Sequence, residues 1–183
     1  MTTDWETRIN RSFTLAGLRT ATGVALGELL GVDSASVRPA AVSARRLARA
    51  YPARVPEVGA EALERPCEPG VDLAFVLWDL DEAVADLFVI DSGVPEDEDG
   101  GVRLVVGPYR AAHSYVLAVA TAIAAARLGA SPVWDERTAL SDRRVADPEW
   151  LLERLRQPPG KPALESALDL VRGTGLWMAA EDA

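Results

Sequence analysis

An α+β fold, with a mostly antiparallel sheet and helices packed on one face of it, follows from three features of the chain. Two strand-like runs, ADLFVID at 85–91 and VRLVV at 102–106, flank the acidic turn SGVPEDEDGG and read as a β-hairpin. An apolar, alanine-rich stretch at 111–128 has the length of a helix. Strand-like and helix-like segments are mixed along the rest of the chain. The hairpin–helix–strand order over 85–136 also matches half of a ferredoxin-like unit.

Each element rests on local signals. Residues 12–18 (SFTLAGL) read as a first strand. Residues 20–30 carry Val24, Leu26, Leu29 and Leu30 at helical spacing, and Gly31 is a suitable stop. A short strand is expected at 36–42, with Pro39 confining it to a sheet edge. Ser43 caps a helix over 43–51. The Pro- and Glu-rich stretch 52–70 reads as a long surface connection. VDLAFVLWDL at 71–80 is a further strand. The long helix ends at Gly129, and a short strand returns over 132–136. Asp147 caps a helix over 148–155, with Pro148 in its first turn. Pro158-Pro159-Gly160 breaks the chain before a last helix at 163–171.

The chain of 183 residues suits a single domain that buries a sizeable core without staples. Cys67 is the one cysteine, which excludes an internal disulfide framework and a cysteine-rich zinc site. The first residues, MTTDWETRINR, lack the apolar run of a signal peptide. The apolar helix is shorter than the roughly 20 residues of a membrane span. A cytoplasmic location without a membrane partner is therefore expected. The net charge of −9 opposes contact with nucleic acid and favours a basic protein partner. One local basic run, Arg45, Arg46 and Arg49 with Arg54 nearby, reads as the solvated face of a helix.

Candidate sites are few. The turn Gly107-Pro108-Tyr109-Arg110 is not a phosphate-cradling loop, because it has one glycine, loses a donor at Pro108 and has no following lysine. It reads first as a rigid strand exit, with Arg110 left to hold an anion. His113, the single histidine, stands at the helix entrance and would be the general base of any acid–base chemistry. Its partner nucleophile would come from Ser114, Tyr109, Cys67 or a distant serine, and no G-x-S-x-G elbow is present. A structural role for His113 is the better expectation. Asp79 and Asp81 share a face if their strand continues, and Asp135 and Glu136 end another strand. Such pairs hold Mg²⁺ or do acid–base work, but a two-metal site would need more convergent acids and a phosphate-binding element, and no such element is found.

The acidic loop at 95–101 fails as a calcium loop. With Gly100 as the turn glycine, the first and twelfth ligand positions fall on Pro95 and Val106. No metal and no cofactor is expected. Glu96, Asp97, Glu98 and Asp99 read instead as a solvated hairpin tip and an electrostatic handle for a basic partner.

Residues 102–136, with a strand, the GPYR corner, the alanine-rich helix, Gly129 and PVWDE, resemble a pattern in small bacterial α+β domains of unknown function, some of them immunity proteins of polymorphic toxin systems. The resemblance covers about a fifth of the chain. It implies inhibitory binding to a partner protein and carries no catalytic residues. Two functional expectations result. One is a non-enzymatic interaction module that meets a basic partner through an acidic surface. The other is a small enzyme or anion-binding domain with a pocket near Tyr109, Arg110 and His113.

Overall fold

A seven-stranded antiparallel sheet organises the computed structural model, which describes residues 4–10, 13–50, 54–80, 82–91, 101–109, 112–135 and 143–174. The strands are β1 Trp5–Asn10, β2 Ala40–Val42, β3 Leu73–Leu77, β4 Ala83–Asp91, β5 Gly101–Pro108, β6 Val133–Trp134 and β7 Val145–Ala146. The helices are α1 Leu15–Leu30, α2 Ala44–Ala50, α3 Ala60–Leu63, α4 Ala112–Gly129, α5 Pro148–Leu155 and α6 Ala163–Thr174. The sheet order is β2-β3-β4-β5-β1-β6-β7, and the α+β class is as expected.

The predicted hairpin is β4–β5, paired from Ala85↔Pro108 to Asp91↔Val102. The ferredoxin-like expectation is met in one respect. β5, α4 and β6 form a split β-α-β unit, because β1 lies between β5 and β6 and pairs antiparallel with both.

Two local expectations are corrected. The strand expected at 12–18 is the start of α1. Thr14 Oγ1 accepts the Gly17 N–H at 3.1 Å, which caps the helix, and Leu15 and Leu18 then join the buried face of Leu26 and Leu29. The first strand is β1 instead, where buried Trp5, Thr7 and Ile9 alternate with Glu6 and Arg8. The stretch 52–70 is not wholly a surface connection. It contains α3, and Val55, Leu63 and Cys67 are buried.

The main core lies on one sheet face. There α4 packs on the sheet over Phe75, Leu87, Leu104 and Trp5, and α1, α5 and α6 pack around α4 and extend the same core. The Arg127 guanidinium of α4 holds both oxygens of Glu149 on α5, at 2.6 and 2.7 Å, and Glu28 of α1 at 2.7 Å, pinning three helices together. The expectation that helices cover a single face needs one amendment. α2 packs on the opposite face, where Leu47 meets Val42, Val76 and Val84 in a second, smaller cluster. Ser43 and Asp72 hold the start of α2: the Ser43 hydroxyl donates to Asp72 at 2.8 Å, and Asp72 accepts the Arg45 N–H at 3.0 Å. Pro39 does precede an edge strand, since β2 ends the sheet.

Candidate functional site

The described residues cover only half of the second sheet face, and this is set by strand periodicity. Along β4, Ala85, Leu87 and Val89 point into the main core, so Asp86, Phe88 and Ile90 point to the other side. α2 is seven residues long and reaches over Val76 and Val84 at the β3 end. Beyond it, Phe88 is 53% exposed and Ile90 40% exposed. The register places Phe88 opposite Val105, and Val105 opposite Glu6 of β1.

A cavity of about 680 Å³ opens beside α2 on this face. Leu47 and Ala48 of α2 form one wall, and Phe88, Val105 and Tyr109 contribute from the sheet side. Among the described residues, three carboxylates line it: Asp4, Asp72 and Asp86. Asp86 pairs with Gly107 on β5, and the Asp4 side chain rests against that glycine where a Cβ would stand. A side chain at 107 would displace Asp4, so Gly107 lets two acids sit across one strand.

Asp86 is the unusual member. Partial burial pushes its carboxyl above the ordinary aspartate range, and the charges of Asp4 and Asp72 push it further the same way. Asp72 is engaged at the start of α2 and has Arg45 Nε at 3.9 Å. Among the described residues no cation pairs with Asp86. A neighbouring patch on the same face holds Glu6, Arg8, Arg103 and Trp134. There Arg103 pairs with Glu6 at 3.3 Å, and the Arg8 guanidinium stacks 5.9 Å from the Trp134 ring.

The residues singled out from the sequence fall in different places. Tyr109 lines the cavity and flanks the smaller core cluster. His113 is buried in the first turn of α4 and does not line that cavity. Ser114 ties the fold together, since its Oγ accepts the Val84 N–H at 2.9 Å and donates to the Tyr109 carbonyl at 2.8 Å. Arg110, Glu96, Asp97, Glu98 and Asp99 lie outside the described residues, as do Asp81 and Glu136. Asp79 is exposed in the turn after β3, so the strand does not continue through it. Asp135 is buried beside β6. Among the described residues, no group of three or more acids, histidines or cysteines is arranged to hold a metal ion. The basic run Arg45, Arg46 and Arg49 is exposed on α2, and of these Arg45 lines the cavity.

Sequence reasoning did not single out Asp4, Asp72, Asp86 and Phe88. The signal for Phe88 was present: an apolar run with Asp at its second position has one face that is not core. Comparison with protein-family models, with curated proteins and with solved structures found no match.

Proposed function

We propose that this protein is a non-enzymatic interaction module that binds a basic partner protein through an acidic surface. The half-covered sheet face carries this reading. It joins exposed Phe88 and Ile90 to a cavity whose described lining includes the carboxylates Asp4, Asp72 and Asp86. Exposed apolar side chains on a sheet beside a group of carboxylates are the composition of a binding patch. The net charge of −9 steers a basic protein toward it. An immunity-type role, in which the partner is a toxin held inactive, is the finer form of the same reading.

The test starts with affinity capture from the native host at low and at high salt. The captured protein is then purified and its binding to the wild type measured. Phe88→Asp and Ile90→Asp change exposed side chains, so both variants should fold. Each should weaken binding at least tenfold. His113→Ala should leave binding intact in a folded protein. Unaltered binding in both face variants would sink the assignment to this surface. Loss of binding in a folded His113→Ala protein would favour a site at the α4 entrance instead.

A further inference from the structure

The cavity beside α2 is amphipathic, with apolar walls from Leu47, Phe88 and Val105 and an acidic side at Asp86 and Asp4. Lysine and arginine have the complementary build, an aliphatic stem with a cationic end. We propose that a lysine or arginine side chain of the partner protein enters this cavity, with its stem along Phe88 and its charge against Asp86. This rests on the interaction reading above and specifies the anchor within it.

Charge complementarity selects the occupant. Asp86 is crowded by two other carboxylates, and among the described lining residues the cation is Arg45, which stands by Asp72. An incoming cation relieves that crowding. An incoming anion adds to it. The lining runs along β4 from Asp86 to Ile90, four residues or about 13 Å at strand spacing. A free amine held at Asp86 leaves the Ile90 end of the cavity bare, whereas a protein segment covers both ends. A second copy of this chain brings another net charge of −9 and is disfavoured by the same electrostatics.

The experiment is an NMR titration of the ¹⁵N- and ¹³C-labelled full chain. The probes are N-acetyl-arginine amide and its neutral analogue N-acetyl-norleucine amide. The arginine probe should give saturable shifts at the Asp86 carboxyl and at the Phe88 and Val105 amides. The neutral probe should bind at least fivefold more weakly. In Asp86→Asn the arginine probe should lose at least fivefold in affinity, with the spectrum elsewhere unchanged. Equal binding of the two probes, or undiminished binding in Asp86→Asn, would overturn the proposal. So would shifts of the same amides on raising protein concentration without probe, matched by dimer in sedimentation, because a second copy would then own the face. If the probe fails while Phe88→Asp still abolishes partner binding, the cationic anchor falls and the interaction surface stands. If both fail, both readings fall.

Discussion

Ser114 of α4 reaches across to Val84 of β4, accepting its backbone N–H at 2.9 Å, and returns the hydrogen bond chain to the Tyr109 carbonyl at 2.8 Å. Helix entrance, strand start and strand exit are thereby joined through one buried hydroxyl. Ser114→Ala orphans the Val84 donor inside the protein. The expected loss is about 1–3 kcal/mol, the cost of an unsatisfied buried amide. Urea denaturation measures it, and a variant within a few tenths of the wild type would show that the hydroxyl is dispensable.

Gly129 and Ala130 should respond in opposite directions. Gly129 ends α4 directly against β1, and a methyl there would overlap the Arg8 carbonyl oxygen. Ala130 takes the left-handed conformation, φ 47°, with the Ser131 N–H closing on the Ala126 carbonyl at 3.0 Å. Gly129→Ala should therefore destabilise by several kcal/mol, since backbone must move. Ala130→Gly should stabilise by about 1 kcal/mol, because glycine adopts that conformation without strain. Paired thermal melts decide both, and a destabilised Ala130→Gly would contradict the strain.

Ile123 lies at the centre of α4 and is 1% exposed. Ile123→Asp places a carboxylate among apolar side chains of the main core, at a cost of several kcal/mol. That is a large share of a domain's total stability. The expected result is loss of cooperative unfolding by calorimetry. A soluble variant with a normal melting transition would show that α4 tolerates charge there.

Asp86 makes stability depend on pH in a defined direction. Its folded carboxyl is raised above the ordinary value of 3.8, so the native state binds the proton more tightly than the unfolded chain. Its favourable contribution is complete below the ordinary range and is lost as pH rises through the folded value. Above that, the ionised group is a constant penalty. Asp86→Asn should match the wild type near pH 3 and be the more stable of the two at pH 7. The gap should open upward from about pH 4. A gap that shrinks with rising pH would mean that Asp86 is stabilised by a cation.

Cys67 should be chemically silent in the native state. Burial pushes its thiol up to about 11, and its side chain is inaccessible. At pH 8 only about one thiol in a thousand is ionised. A disulfide exchange reagent should therefore react at the rate of unfolding and accelerate sharply in denaturant. Rapid stoichiometric reaction of the folded protein would place Cys67 at the surface.

Much of the chain was legible where the signal is local. Asp147 does cap α5, accepting the Glu149 and Trp150 N–H groups at 2.9 and 3.0 Å, and Pro148 stands in its first turn. The β4–β5 hairpin and α4 were visible as alternating runs and one long apolar stretch. WETRIN at 5–10 alternates as a strand should, but only Trp5 and Ile9 are large apolar residues in it, so its apolar signal is weak. α4 does end at Gly129 as the sequence suggests, but for a different reason: Ala130 makes the left-handed turn, while Gly129 gives β1 room.

The candidate site belongs to another class of information. Asp4, Asp72 and Asp86 come from three strands or their flanks, and nothing in their own neighbourhoods along the chain says that they meet. They meet because β1 enters the sheet beside β5, pairing Trp5 with Val106 across about a hundred residues. The cavity exists because α2 is too short to cover the face that β4 and β5 present. Hydrophobic periodicity reports which side of a strand is buried. It does not report which strand lies next to it, because that pairing is a non-local competition among whole strands, settled by packing against α4 and α1.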